Sequence, residues 1–522
     1  MEICIISLIE DTGCINLRYL SSYIRSKGHT TKLIFLPRLY SEGWGSDKSY
    51  KYPYSQTVLI QLKELCSTTD IIGISLMSCH FDNAVHITKF LKDLNKPIIW
   101  GGIHPTISPY ECLEYADLVC VGEGENSIVE LLNYMQNSKN ESIIIPGILA
   151  DKEQEIAVGK KIENLNELRF PDYEMDHQYV LYKNNIVKLN NTILSDCFSN
   201  RYRTSFSRGC VSSCTYCCNN ILKKLYGNKT QPIRWRSIDN QINELKWAKS
   251  NINNLKQIEF SDDTFLSRPY EQIEEFALKY KKEIGLPFIL LSTPLAISYD
   301  KLKILTNAGM NNIGIGIQTV YEPVRKMYKR NETIEQIINA SKIISKISKE
   351  NNNPITVRYD FITDNPWGRE IDTEENIRFA MTLEKPRHIR IFSLLFYHGT
   401  ELYEIAKKEG LIKDELNEVY RTTQLSPKPT YMNAVFLLLS LGCPESIIKI
   451  LINKKIKTRS VKFVKLLNLF MHTIRSIKKL DKPLHEAVQV STPFNGPPGE
   501  VIKQVNHPHL KRCRFSKEYG EI

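Results

Sequence analysis

The sequence predicts an α/β protein in three parts. A doubly wound parallel-sheet domain is expected over residues 1–140, a partial (β/α)6 barrel over 202–411, and a mostly helical, basic region over 412–522, with 141–201 as a linker. Three observations carry this reading. Short apolar runs alternate with amphipathic stretches as far as about residue 400, the pattern of parallel strands joined by right-handed crossover helices. The strand–helix rhythm changes near residue 200, after a less regular, Pro-broken segment. The 522 residues are 42% hydrophobic and 24% charged, which is a globular composition in a chain long enough for about three domains.

In the first part, residues 2–8 read as a buried strand, followed by a helix carrying Leu17, Leu20, Tyr23 and Ile24 and ending near Gly28. Strands follow at 31–36, Ile71–Leu76, Pro97–Trp100 and Asp117–Val121, with helices at 55–68, 81–94 and 125–136 and an aperiodic loop at 37–53. Ligands of such sheets bind beyond the carboxyl ends of the strands. Those ends carry Ser75 and Met77, then Gly101-Gly102-Ile103-His104-Pro105-Thr106, then Gly122-Glu123-Gly124-Glu125. No G-x-G-x-x-G follows the first strand, so this is not a dinucleotide fingerprint. In the linker, 147–158 is expected as a hairpin.

In the second part, strands are expected at 203–207, 256–261, 287–292, 312–317, 355–362 and 388–396. Helices are expected between them at 237–250, 269–284, 298–308, 332–349 and 372–383. Helix 237–250 aligns Ile238, Ile242, Leu245 and Ala248 on one stripe. Strand 312–317 alternates isoleucine with Gly314 and Gly316, and a strand glycine marks a close approach by something else. Strand 355–362 alternates Ile355, Val357, Tyr359 and Phe361 with Thr356, Arg358 and Asp360, so its polar face should point into the barrel.

The charge, +11 from 69 Lys+Arg against 58 Asp+Glu, does not by itself indicate nucleic acid, and no apolar run is long enough to span a bilayer. The start MEICIISLIEDTGC lacks a basic region and carries acids early, so no secretory signal is expected. The 13 cysteines are the informative count. An odd number in a long chain does not suggest a disulfide framework, and most stand alone as small core residues. Cys210, Cys214, Cys217 and Cys218 cluster, at the end of the first barrel strand, where barrels of this type carry their chemistry. The spacing C-x3-C-x2-C gathers three thiolates, which leaves a metal centre one open position; Cys218, adjacent to Cys217, is a poor fourth ligand. Spacing alone leaves zinc or inert buried thiols open.

Cys210-Val211-Ser212-Ser213-Cys214-Thr215-Tyr216-Cys217, placed after the first strand of a six-unit barrel, resembles the radical SAM enzymes, and the resemblance covers 202–411. It implies that Cys210, Cys214 and Cys217 hold a [4Fe–4S] cluster whose remaining iron takes S-adenosylmethionine (SAM), with Tyr216 near the adenine. It further implies SAM contacts at Asp262 and Asp263 of Glu259-Phe260-Ser261-Asp262-Asp263-Thr264-Phe265, helix capping being the competing role for these aspartates. Gly314 and Gly316 would make room for the adenosyl group. Gln318-Thr319 stands where the family often has Glu-Ser, leaving hydrogen bonding as the role there. Arg358 and Asp360 would contact SAM or substrate, or pair with each other.

With a doubly wound domain ahead of the barrel, the chain resembles the cobalamin-binding branch of that family, with a Rossmann-like cobalamin domain. Ser75, Met77, Gly101, Gly102, His104 and Gly122 would then line the cobalamin site. The branch's usual Asp-x-His-x-x-Gly is replaced by Glu10-Asp11-Thr12-Gly13-Cys14, without a histidine. The resemblance implies a methyltransferase: one SAM methylates cobalamin, a second yields a 5′-deoxyadenosyl radical, and an unactivated substrate carbon takes the methyl group. A radical cyclisation or rearrangement without methyl transfer is the alternative, and a non-catalytic iron–sulfur or zinc module belongs to a different class. The implied partners are a small-molecule or peptide substrate and an electron donor such as flavodoxin or ferredoxin, in a reducing cytoplasm and an anaerobic cell.

The last part has no acid between Ile447 and Leu480, a window that holds Lys449, Lys454, Lys455, Lys457, Arg459 and further basic residues. A solvated helical face is the favoured reading, with an anionic membrane surface as the other. Aromatics do not interleave with these charges, so no nucleic-acid partner is expected.

Overall fold

The computed structural model describes residues 1–8, 14–36, 54–137, 143–198, 200–227, 233–351, 354–420, 427–428 and 430–453. Two sheets dominate. The first comprises β1 (Glu2–Ser7), β2 (Thr30–Phe35), β3 (Ile71–Ser75), β4 (Ile98–Gly101), β5 (Leu118–Cys120), β6 (Ile148–Leu149), β7 (Gln178–Tyr182) and β8 (Asn185–Lys188). Its order is β6-β5-β4-β3-β1-β2-β7-β8, with β6 and β8 antiparallel to their neighbours at the two edges and every other pairing parallel. Alternate residues of β1 serve two cores. Ile3 and Ile5 pack with helices Ile15–Ser26 and Gly124–Asn137, whereas Cys4 and Ile6 pack with Gln56–Ser67 and Phe81–Leu91. Coverage on both faces is why these strands read as unbroken apolar runs.

Residues 141–201 are more than a linker. They supply β6, and β7 and β8 form a hairpin that extends the sheet beyond β2, turning at Lys183 and Asn184, both at positive φ. The hairpin expected at 147–158 is instead the two-residue β6 followed by irregular chain. Glu10–Gly13, the loop 37–53, the basic window beyond Asn453 and the tail lie outside the described residues.

The second sheet comprises β9 (Arg201–Thr204), β12 (Gln257–Phe260), β13 (Phe288–Ser292), β14 (Met310–Gln318), β15 (Thr356–Thr363) and β16 (His388–Ser393), with the short antiparallel pair β10 (Ser207–Arg208) and β11 (Arg234–Trp235) beside it. The order is β16-β15-β14-β13-β12-β9, all parallel, as in an open half-barrel. Along β15, Val357, Tyr359, Phe361 and Thr363 are buried while Thr356, Arg358, Asp360 and Ile362 are half-buried. The first set meets the outer helices and the second lines the lumen. Helix Tyr431–Ser440 closes one side, with Phe436 packed edge-on against Phe361. Among the described residues, no helix is long and apolar enough to cross a membrane.

The described residues of both sheets lie in one compact unit and share a core. At their seam the fully buried Glu244 is ion-paired to Arg236 and accepts hydrogen bonds from Tyr202 Oη (3.0 Å) and Thr204 Oγ1 (2.5 Å). Arg236 also donates to Tyr19 Oη (2.8 Å) of the first domain.

Candidate active site

The cysteine loop starts where β10 ends. Asp262, fully buried just past β12, accepts hydrogen bonds from the Phe206 N–H (3.0 Å) and the Ser207 hydroxyl and so fixes the base of the loop. Burial pushes its carboxyl up to about 6, against the pull of those bonds and of Arg268. Asp262 thus caps no helix; its carboxylate is spent on the loop. Asp263 is exposed, accepts from Asn219 Nδ2 (2.9 Å), and is the acid that faces the cysteine cluster.

Further along, Thr215 is pinned through its N–H to Tyr328 O (3.3 Å) and its hydroxyl to Met327 O (2.7 Å), and its own carbonyl accepts from the Leu402 N–H (3.0 Å). Tyr216 packs edge-on against the Tyr328 ring at 4.8 Å. Cys217 is the N-cap of helix Cys218–Leu225, where the helix dipole favours an anionic sulfur. The loop is therefore held at several points by chain far away in sequence. The sulfurs of Cys210, Cys214 and Cys217 do not all lie within 4.8 Å of one another. A single zinc ion, with Zn–S bonds of about 2.3 Å, would draw its ligands closer than that. All three cysteines are free thiols, Cys214 buried and the others half-buried. Burial raises the Cys210 thiol, and a hydrogen bond with Cys218 followed by burial raises that of Cys217.

Arg330 joins this loop to the lumen. It is buried, its Nη1 lies 3.8 Å from Cys214 Sγ, its Nη2 donates to Gly316 O (2.5 Å), and Glu332 is its ion-pair partner. No sequence signal marked it, because its partners are set by tertiary structure alone. At Gly314 a Cβ would lie 2.7 Å from Leu291 Cδ2 and 3.3 Å from Arg358 Nη2; at Gly316 it would lie 2.6 Å from Gln318 Nε2. Gln318 itself has φ of +71° beside a register shift, strained backbone of the kind found at functional strand ends. Asp360 makes a bidentate pair with Arg390 (2.7 Å and 2.7 Å), so the expected Arg358–Asp360 pair does not form.

The carboxyl edge of the first sheet faces this loop. Arg208, the last residue of β10 and two before Cys210, is ion-paired to Glu123 (2.9 Å) and Glu125 (2.5 Å), and Arg234 of β11 also pairs with Glu123. The Gly-Glu-Gly-Glu motif is thus a clamp on the cysteine loop. Gly122 is closed off by Tyr226, whose hydroxyl a Cβ would meet at 2.5 Å, rather than left open. Gly102, at φ +102°, is exposed and needs its missing side chain to pass the Leu76 carbonyl, which a Cβ would approach to 2.8 Å. Gly101 and Met77 are half-buried and Ser75 is buried at the end of β3. His104 is fully buried: Ser78 Oγ meets its Nδ1 at 3.0 Å, Phe81 and Tyr420 flank the ring, and burial drives its pKa to about 3. It is a neutral core histidine.

Residues 204–365 match the model of the Radical SAM superfamily, and residues 3–132 match that of the B12 binding domain. The barrel thus carries a radical SAM domain, with a B12-binding domain ahead of it. No curated protein matches it in sequence. Among solved structures, the radical SAM methyltransferase TsrM from Kitasatospora setae, with tryptophan substrate and a SAM analog, is 12% identical at a TM-score of 0.60, over 78% of this chain and 76% of that one. The apo form of the cobalamin-dependent SAM radical enzyme OxsB is 17% identical at 0.59, over 91% and 71%. OxsB with aqua-cobalamin and SAM is 20% identical at 0.56, over 79% and 56%. At these identities the likeness is one of fold.

The radical SAM loop fits an iron–sulfur cluster on its donor set: three thiols gathered by a pinned loop, one at a helix N-terminus and one beside a guanidinium. The B12-binding domain fits its group through the exposed Gly102 at the sheet edge. Neither buried imidazole there is free to reach a ligand. His104 is enclosed as described, and His80, equally buried, accepts from the Met77 N–H (3.4 Å).

Proposed function

We propose that this radical SAM enzyme is cobalamin-dependent and methylates an unactivated carbon of its substrate. The observation that supports it most is the clamp. Glu123 and Glu125, at the cofactor edge of the B12-binding domain, grip Arg208, two residues before Cys210, so the two cofactor sites act on one space. When bound, the cluster and SAM supply a 5′-deoxyadenosyl radical that abstracts hydrogen from carbon, and cobalamin supplies a transferable methyl group. Cys210, Cys214 and Cys217 would hold the cluster. Arg330 places positive charge against Cys214, Tyr216 and Tyr328 pack over the loop, and the half-buried lumen face leaves space for substrate. The TsrM neighbour is itself a methyltransferase, which supports the same reading here. The electron would come from a donor such as flavodoxin or ferredoxin.

The test is anaerobic reconstitution with iron and sulfide, then incubation with SAM, cobalamin and a low-potential reductant. Release of 5′-deoxyadenosine, lost in Cys214→Ala, together with S-adenosylhomocysteine, is the expected result. Deoxyadenosine without S-adenosylhomocysteine would point to a radical cyclisation or rearrangement. Absence of any iron–sulfur absorbance would sink the enzyme reading.

A further inference from the structure

The lumen of the half-barrel is lined by half-buried positions that carry an uneven set of charges. Arg201 and Arg203 of β9, Arg358 of β15 and Arg390 of β16 face Glu259 of β12 and Asp360 of β15. Both acids are engaged. Glu259 pairs with Arg203 (3.2 Å) and Arg201 (3.7 Å), and Asp360 is held bidentately by Arg390. Arg358 is left over. Among the described residues it makes no ion pair and no hydrogen bond, and its Nε is buried without a partner. Gly314, its ladder neighbour on β14, leaves the room the guanidinium fills. Asp360 and Glu259 are near enough to act on it, but both are paired with other arginines; a half-buried cation without an ion pair of its own is costly unless an anion completes it, and a guanidinium matches carboxylate and phosphate oxygens two at a time.

Its depth separates this position from the cluster. Arg330 links Cys214 to Gly316, which lies opposite Asp360 in the ladder. Arg358, opposite Gly314, is two residues deeper, or about 7 Å along the strand. Resting on the radical SAM reading of the barrel, we infer that Arg358 is the counter-ion of an oxyanion on the substrate, so that the substrate is a carboxylate or phosphate compound bound with its charged end deep in the lumen. The SAM carboxylate is the other source of such an oxyanion, and the experiment separates the two.

Isothermal titration of the reconstituted full chain with inorganic pyrophosphate, and separately with SAM, reads both. Arg358→Gln is expected to weaken pyrophosphate binding by about tenfold and to leave SAM affinity within about twofold; Arg358→Lys, which keeps the charge but not the fork, falls between. Gly314→Ala, which crowds the guanidinium without removing it, is expected to weaken pyrophosphate by about threefold and covers the case in which Arg358→Gln does not fold. Unchanged pyrophosphate binding in these variants, or none in the parent protein, overturns the inference. So does a loss confined to SAM, which would assign Arg358 to the cofactor. Pyrophosphate binding does not require the cluster, so a protein that binds it but takes up no iron fails the enzyme reading and not this one.

Discussion

The two sheets spend the same ingredients differently. β3 is buried along its whole length and β1 from Ile3 onward, whereas β9, β12 and β15 alternate buried with half-buried residues. The first sheet is covered by helices on both faces and so offers a ligand only its carboxyl edge; the half-barrel is covered on one face and offers a lumen. The charges follow the same division. In the B12-binding domain, Glu123 and Glu125 sit at the edge and turn toward the barrel; in the barrel, arginines line the interior. A cofactor docked at an edge and a substrate enclosed in a lumen are what these two surfaces can each support.

The two sheets depend on each other most at the seam. Glu244 and Arg236 are enclosed together with Tyr19 of the first domain and Tyr202 and Thr204 of the second. Removing one partner of such a pair leaves an uncompensated buried charge, and Glu244→Ala should cost about 3–5 kcal/mol. Denaturant unfolding checks this, and a loss below about 1 kcal/mol would show the seam to be solvated. If the sheets fold as one body, a single transition shifts; if not, the barrel transition moves alone.

Next in size is a pH effect at the base of the cysteine loop. The Asp262 carboxyl is raised by burial from 3.8 to about 6, and so is that of Asp372, a buried residue of helix Arg369–Ala380 that lies elsewhere in the barrel and accepts from the Thr319 hydroxyl. Between those values the folded chain keeps a proton that the unfolded chain has released, so stability falls as pH rises through the window and levels off above it. Each group contributes a slope of about 1.4 kcal/mol per pH unit. Relative to Asp262→Asn, the parent protein should lose stability from pH 4 to pH 6. A parent that instead gains over that range would mean an ionised, well-paired Asp262.

How far the sequence leads depends on whether an interaction is local or tertiary. The cysteine loop was legible as a cluster of thiols because Cys210, Cys214 and Cys217 lie within eight residues, and the lumen face of β15 was legible because strand alternation is a local rule. The β7–β8 hairpin left a usable signal, the Lys183-Asn184-Asn185 turn between two apolar runs, which an irregular neighbourhood obscured. What could not be read were ion pairs between distant segments. By chemistry alone Arg358 and Arg390 are equal partners for Asp360, and only the register of β15 against β16 selects Arg390. Gly122 likewise reads as room for a ligand in the sequence, but Tyr226, distant in sequence, fills that room.

The clamp tests whether the edge of one domain shapes the site of the other. Glu123 and Glu125 are within reach of Arg208, and Glu125 is buried. Glu125→Gln keeps the shape and removes a charge, and should cost about 1–3 kcal/mol. If the clamp also positions the loop, the variant should retain less iron after reconstitution than a surface change of equal charge such as Glu174→Gln. Equal iron retention would reduce the clamp to a structural contact.

The smallest and most local effect concerns Arg330. Its guanidinium stands 3.8 Å from Cys214 Sγ, while its partner Glu332 is also buried. On the proposed reading, with Cys214 holding the cluster, a positive charge beside it would stabilise the reduced, more negative cluster, and hydrogen bonds to the sulfurs would act in the same direction. Arg330→Gln removes that charge and leaves the Glu332 carboxylate uncompensated, so two changes disfavour reduction together. The reduction equilibrium of the loaded cluster should fall about tenfold, which is about 59 mV for one electron. Arg330→Gln/Glu332→Gln should recover part of the shift, because the second substitution removes the stranded negative charge. Potentiometric titration followed by the reduced-cluster EPR signal reads both variants without depending on turnover. If the single and double variants share one potential, Glu332 is too well screened to matter and only the bond to sulfur is at work; if neither differs from the parent, Arg330 serves the Gly316 carbonyl and the lumen wall alone.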